Sequence, residues 1–156
     1  MRKVKDYIVF SSPLGKLGLW FVEDKLARLD IFPGEVTVKP KQYTPVMQQA
    51  IEDFASYFEN PQHCFTTPLA VEGTRFQQKV WQALSRIPSG KTLTYGQLAK
   101  QLQTGSRAIG QACRTNRIPI IIPCHRVVAS THMGGYSGAV RGELLALKEW
   151  LLKHEE

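Results

Sequence analysis

A cysteine, a histidine and an arginine stand side by side at Cys124, His125 and Arg126, directly after Pro123. A thiol is nucleophilic as its thiolate, and an imidazole is well suited to take its proton near neutral pH. Arg126 would stabilise that thiolate if it lay near the sulfur. Such a pair still needs a third group to orient the imidazole. Taken alone, Cys124 reads as a small buried apolar residue, as most free cysteines are; its neighbours are what point to a reactive thiol. Adjacent side chains on a true strand would point apart, and Pro123 fits a turn better than a continuous ladder. Metal chemistry fits poorly. His63, His125, His132 and His154, with Cys64, Cys113 and Cys124, show no Cys-x-x-Cys or His-x-x-x-His spacing, so no metal is expected. The glycine-rich stretch 134–138 lacks the lysine and spacing of a phosphate loop and reads as a mobile loop.

The elements that must position these groups divide into a strand-rich half and a helical half. Residues 7–10, 17–22 and 25–32 are apolar or alternate with period two, with turns at 13–15 and 23–24, which predicts a small antiparallel meander. Residues 45–60 show helical spacing through Val46, Ile51, Phe54, Ala55 and Phe58, and Asn60-Pro61 ends that helix. An irregular linker over 61–73 follows, with His63-Cys64 as an isolated pair at a surface or interface, and the domain boundary falls at its end. Thr74 is placed to cap a helix over 75–87, with Phe76, Val80, Ala83, Leu84 and Ile87 on one face. Residues 88–90 form a turn and 94–102 a short helix. Thr104-Gly105 breaks it, and Ser106 can cap a second short helix over 107–114. Two short helices around a glycine-containing turn fit a helix-turn-helix. Residues 120–122, framed by Pro119 and Pro123, form a strand-like apolar run, and Asn116 reads as a helix C-cap. Lys148 reads as a solvent lysine on an amphipathic helix, and Glu155, beside Glu156, as a solvated carboxylate.

Charge separates the halves further. Residues 1–73 carry 8 basic and 9 acidic side chains, whereas 74–156 carry 12 and 4. No acidic residue occurs between Glu72 and Glu143, a stretch containing Arg75, Arg86, Arg107, Arg114, Arg117 and Arg126 among its cations. Clustered cations gain most from a phosphate backbone, by releasing its counterions. No basic amphipathic helix with a broad apolar face argues for a membrane surface. At 156 residues, with 43% hydrophobic and 21% charged side chains, the composition is globular rather than disordered. The longest apolar run is too short to span a bilayer, and Met1 to Tyr7 shows no signal-peptide core. Three cysteines without such a signal argue for free thiols in a reducing compartment, so a cytoplasmic location is expected.

The run Pro123-Cys124-His125-Arg126-Val127-Val128, preceded by Asn116 and the Arg107-Ala108-Ile109-Gly110 helix, closely resembles the O6-alkylguanine-DNA alkyltransferases. These are the methylated-DNA–protein-cysteine methyltransferases of direct DNA repair. The resemblance is strong over 74–155 and holds only in kind over 1–73, as the family's variable N-terminal domain. It implies an α+β fold: a small antiparallel-sheet α/β domain with its linker over 1–73, then a mainly helical domain over 74–156 with a winged-helix-like helix-turn-helix. It implies that Cys124 accepts the alkyl group, that His125 deprotonates it through a bound water, and that Glu155 orients the histidine. Tyr95 resembles the tyrosine that hydrogen-bonds the extruded guanine, Lys148 the lysine that supports it, and Asn116 the asparagine that ties the turns before the cysteine. Ser106, Arg107, Ala108 and Arg114, with Tyr95, would lie at the DNA; Arg107 would fill the vacated place in the base stack. Small Ala108, Gly110 and Ala112 would let the helix approach a minor groove closely. Tyr95, Val127, Tyr136 and Ser137 would surround the flipped base.

The expected function is stoichiometric transfer of an alkyl group from O6-alkylguanine in double-stranded DNA to Cys124, with O4-alkylthymine as a further candidate. No cofactor is expected, because the DNA supplies the alkyl group. A monomer is expected, with cooperative assembly on DNA left open. The sequence departs from the family at Arg117, where a proline is common, and over 138–147, a segment a few residues longer than in many relatives. Two other readings compete. A thiol hydrolase would use Cys124 and His125 but leaves the basic helical region unexplained. A DNA-binding module with a structural Cys124 leaves Pro123-Cys124-His125-Arg126 unexplained.

Overall fold

The computed structural model describes residues 6–34, 42–131, 134 and 142–156. Its contacts divide the chain into two compact units, Met1–Val71 and Glu72–Glu156.

In the first unit, β1 (Asp6–Ser12), β2 (Gly15–Val22) and β3 (Lys25–Ile31) form an antiparallel sheet in sequence order. The turn between β2 and β3 is two residues long, pairing Val22 with Lys25, and Glu23 and Asp24 both take positive φ, 51° and 61°. Left-handed residues of this kind match the sheet twist in a tight hairpin. Along β2, Leu17, Leu19 and Phe21 are buried, as period-two alternation requires. Gly18 is needed on the other face: the Tyr7 ring lies where its Cβ would be, and stacks on Trp20 at 4.2 Å between centroids.

Helix α1 (Pro45–Glu59) covers this sheet, capped by Thr44 and stopped at Asn60. Its buried apolar stripe is Val46, Met47, Ala50, Phe54 and Tyr57, which keeps Val46 and Phe54 of the expected stripe and replaces the rest. Ala55 is exposed and Ile51 and Phe58 are half-buried. Aromatic residues bordered both sides of Phe54, so hydrophobicity alone left the centre of the stripe rotated. The segment after α1 is more than a linker. Leu26 N–H donates to the Pro68 carbonyl at 2.9 Å and Ala70 N–H to the Leu26 carbonyl at 2.8 Å, which adds a short parallel bridge beside β3. Asp53, buried on α1, accepts the Thr66 and Thr67 backbone N–H groups and the Thr67 hydroxyl, and lies 2.8 Å from His63 Nε2. Those bonds hold its carboxyl below the usual range against the opposing effect of burial. His63 is thus tied inward, while Cys64 is exposed.

In the second unit, α2 (Arg75–Ser85) and α3 (Tyr95–Gln101) start alike: Thr74 with Gln77, and Thr94 with Gln97, form reciprocal capping boxes. Helix α2 buries Val80, Trp81 and Leu84, and Ile87 just beyond it. Phe76, expected on that face, is 37% exposed, because Trp81 takes the inward position and donates its indole N–H to the Ala112 carbonyl at 2.8 Å.

Helix α3 packs on α4 (Ser106–Arg114). The stop signal differs from expectation. Gln103, at φ 55°, is the left-handed residue, and Thr104 N–H reaches back to the Ala99 carbonyl at 2.9 Å, which is a Schellman ending. Gly105 then serves as the N-cap of α4, so Ser106 is its first helical residue and makes no capping bond.

The apolar run 118–122 is a buried turn rather than a strand. Ile122 N–H bonds the Ile118 carbonyl at 3.0 Å, and Ile120 sits at φ 75°, a strained value for a β-branched residue. The chain continues through a 3-10 turn, Cys124–Arg126, into β5 (Val127–Val128). That strand pairs in parallel with β4 (Leu93–Thr94), Leu93 opposite Val127. Helix α5 (Glu143–His154) closes the described chain.

Candidate active site

Cys124 opens the 3-10 turn and is 4% exposed. On such a turn consecutive side chains are about 120° apart rather than on opposite faces, so the objection that a strand would separate Cys124 from His125 does not apply. His125 is wholly buried, with Nε2 2.9 Å from Glu155 Oε2. Its Nδ1 is buried and has no hydrogen-bond partner among the described residues. A carboxylate on Nε2 fixes the proton there in the neutral ring and leaves Nδ1 as a lone pair. Burial holds the His125 pKa below its ordinary value; the Glu155 bond and charge oppose this, while Arg126 and Lys148 reinforce it.

Helix α5 delivers the acid and a lysine on one face. Leu147, Lys148 and Leu151 are its buried residues, and Glu155, at its C-cap, is 2% exposed. Seven residues are nearly two turns, so Lys148 and Glu155 lie on the same side. Neither is solvated, which overturns the reading of both as surface charges. Lys148 Nζ donates to the Val127 carbonyl at 2.8 Å and lies 5.9 Å from the centre of the Tyr95 ring. Burial lowers its pKa to about 8, and the nearby thiols, Cys124 first, act to raise it.

Tyr95 is the first residue of α3, aligned by the β4–β5 ladder that directly follows the cysteine turn. Burial raises its pKa to about 12, with Cys113 and Cys124 adding to the effect. Burial, then Cys124, likewise raises Cys113 to about 12. Mutual electrostatic effects therefore link Tyr95, Cys113, Cys124 and Lys148, and Cys113 belongs to the surroundings of the thiol. Gly134 also approaches the tyrosine: a Cβ there would meet the Tyr95 ring at 3.1 Å.

Arg126 does not serve the thiolate as its spacing suggested. Its guanidinium is turned to Glu155, donating to both carboxylate oxygens, and to the Ile87 carbonyl. Asn116 is not a helix C-cap; Thr115 is. The Asn116 side chain accepts the Ile118 N–H at 3.0 Å and donates to the Ile122 carbonyl at 2.8 Å, closing the turn before the cysteine. Val127 is fully buried. Ser106, Arg107, Gln111 and Arg114 are exposed on α4, with Ala108 and Gly110 half-buried. Ala112 faces inward, so it takes no part in any close approach of that outer surface. Tyr136 and Ser137 lie outside the described residues.

Among the described residues no group of three His, Cys, Asp or Glu could hold a metal ion. None of their helices is long and apolar enough to cross a membrane. The arrangement is a buried thiol beside a carboxylate-held imidazole, with a phenol and an ammonium close by: a set suited to making a sulfur nucleophile and protonating a leaving group.

This site falls within a recognised family region. Residues 75–156 match the model of the 6-O-methylguanine DNA methyltransferase DNA binding domain. The methylated-DNA–protein-cysteine methyltransferase of Methanosarcina mazei is 46% identical over 156 residues, covering 96% of each chain. The constitutive enzyme of that name from Bacillus subtilis is 37% identical over 143 residues, covering 85% of this chain and 87% of that protein. The crystal structure of Mycobacterium tuberculosis OGT in complex with DNA is similar at a TM-score of 0.80, with 33% identity and coverage of 97% of this chain and 93% of that one. The chain belongs to the methylated-DNA–protein-cysteine methyltransferase family, and it is an enzyme of that class.

Proposed function

We propose that this protein reverses DNA alkylation directly, by moving the alkyl group of O6-alkylguanine irreversibly onto Cys124. The observation that carries this reading is the buried connection from His125 Nε2 to Glu155 beside Cys124. The Cys124 proton passes to His125 Nδ1 through one water molecule. The sulfur then attacks the O6-alkyl carbon in line; the S–C bond forms as the C–O6 bond breaks. The electron pair leaves on the guanine, which draws a proton from the Tyr95 hydroxyl. A phenol with its pKa raised to about 12 stays a proton donor at neutral pH, and Lys148 supports the transient phenolate. The thioether has no reducible bond, so each molecule reacts once and no cofactor takes part.

A stacked base cannot reach a thiol that is 4% exposed, so the nucleotide must be flipped out. In this reading α3 and α4 act as a helix-turn-helix in the minor groove. Arg107 fills the vacated stack, Ser106, Ala108 and Arg114 lie along the backbone and groove, and Val127, Tyr136 and Ser137 complete the base pocket. The exposure of Arg107 and Arg114 supports this use of α4. Minor-groove binding carries little sequence code, which suits a lesion that can occur anywhere. O4-alkylthymine is a second substrate of the same pocket, and the protein acts as a monomer.

Intact mass after mixing with a duplex containing one O6-methylguanine tests this. The expected result is a gain of about 14 Da, one equivalent only, mapped to the Cys124 peptide, consistent with covalent nucleophilic transfer. Cys124→Ala should bind the duplex and gain nothing. Binding without mass gain by the wild type would favour a lesion-flagging role; neither binding nor transfer would favour a thiol hydrolase.

A further inference from the structure

Arg126 is the member of the cysteine turn that the thiol chemistry leaves without a task. Its Nε donates to Glu155 Oε1 at 2.9 Å, its Nη2 to Glu155 Oε2 at 2.8 Å, and its Nη1 to the Ile87 carbonyl at 2.6 Å. Two parallel bonds onto one carboxylate fix its plane as well as its place. That matters because the terminal torsion of a glutamate is soft, and Oε2 is the oxygen that faces His125 at 2.9 Å. The far end of the strut is anchored too. Ile87 is buried just after α2, and the following turn presses on the end of α5: a Cβ on Gly90, at φ 87°, would lie 2.9 Å from the Glu155 carbonyl.

The charges around His125 make a second argument. The ring faces Glu155 and Lys148 from α5 and Arg126 from its own turn. Burial favours the neutral ring most; Glu155 opposes it by favouring the imidazolium, and Arg126 and Lys148 work against that carboxylate on the side of the neutral ring. Only the neutral ring can accept the thiol proton.

We propose that Arg126 is a positioning residue for alkyl transfer: its fork holds the Glu155 carboxylate with Oε2 toward His125, and its charge offsets that carboxylate so that the imidazole waits as a neutral base. The inference rests on Cys124 being the alkyl acceptor. It is tested first on the unreacted wild-type protein by 15N NMR of the imidazole at pH 7. A neutral ring with the proton on Nε2 is expected; a doubly protonated ring would overturn the proposal. Methyl-transfer rates from an O6-methylguanine duplex are then followed against pH for wild type, Arg126→Lys and Arg126→Met. The lysine keeps the charge without the fork, so transfer should slow about tenfold with the acid limb in place. The methionine removes both, so transfer should slow about 100-fold and the acid limb should move to higher pH, because an unopposed carboxylate stabilises the imidazolium. A wild-type rate in Arg126→Lys, or an unmoved limb in Arg126→Met, would overturn the proposal. If Arg126→Met does not fold, the lysine variant and the NMR result still decide. A wild type that takes up no methyl group sinks the proposed function instead, while the ring NMR continues to judge the His125–Glu155–Arg126 arrangement.

Discussion

At the residue scale, the site works by placing charges where water cannot screen them. Glu155 accepts from Arg126 on both oxygens and pairs with His125 while 2% exposed. Replacing it by glutamine keeps the shape and removes the charge. Arg126 is then a largely buried cation without its counter-ion, a loss that typically costs about 3–5 kcal/mol. Glu155→Gln should therefore lower the denaturant midpoint strongly. In the fraction that stays folded, the first-order rate of methyl transfer should fall, at most by the factor of about 10²–10⁴ that a well-placed base such as His125 contributes. A variant of wild-type rate and stability would remove Glu155 from the site. The sequence exposed this chemistry unevenly. Cys124 and His125 were legible from their adjacency. Glu155 and Lys148 were not legible from residue type, since a glutamate near Glu156 and a lysine on an amphipathic helix both read as solvated. Their spacing held the only internal signal: positions 148, 151 and 155 form one stripe with Leu151 at its centre. Arg126 was misread because adjacency to a thiol in sequence does not fix where a long side chain points.

At the element scale, backbone devices set the position of the thiol. The turn over 118–122 holds Ile120 at φ 75°, a conformation that a β-branched residue keeps only when its surroundings enforce it. Asn116 supplies that enforcement through its bonds to the Ile118 N–H and Ile122 carbonyl, and Cys124 N–H in turn bonds the Ile122 carbonyl at 2.8 Å. Asn116→Ala would leave the buried Ile118 N–H unpaired, at about 1–3 kcal/mol, while the Ile122 carbonyl keeps the Cys124 N–H as its donor. Urea unfolding should show a lower midpoint with an unchanged slope, and methyl transfer should slow because the thiol loses its anchor; an unaltered midpoint would mean that the turn holds itself. The strand expected over Ile120, Ile121 and Ile122 shows the limit of reading by composition. An apolar run reports burial, and only the flanking prolines and Asn116 hinted that the backbone turns. Capping was legible in part: Thr74 caps α2 as expected, whereas Thr94, read as the first residue of its helix, is the cap of α3, and Ser106, read as a cap, is the first residue of α4. Thr-x-x-Gln at 74–77 and 94–97 announces two helix starts. The end of α3 falls where expected, at Leu102, but its device was misread: Gln103, not a glycine, takes the left-handed position.

At the scale of the whole molecule, charge is divided as sharply as fold. The 12 basic and 4 acidic residues of 74–156 contrast with 8 and 9 before them, and two of the 4 acids, Glu143 and Glu155, lie at the ends of α5, the latter consumed internally by Arg126 and His125. The internal Arg126–Glu155 pair cancels itself, so the excess of basic over acidic residues is carried by the remaining side chains of the region. Arg107, Gln111 and Arg114 recur at i, i+4 and i+7 on α4, all exposed, so two cations share one face. If that face carries the DNA backbone, affinity for an unmodified duplex should fall steeply with salt, and each arginine that neutralises a phosphate contributes about 0.9 to the slope of log K against log salt. The full-length variant Arg114→Ala should lower that slope by about 0.9, measured by fluorescence anisotropy between low and physiological salt. Arg107→Ala should change the slope less if its side chain enters the base stack, and should instead slow methyl transfer from a lesion duplex. Equal slope changes for both variants would assign both arginines to phosphates and leave the vacated stack to another residue. Unchanged slopes would move the DNA off α4 altogether, whatever the chemistry at Cys124.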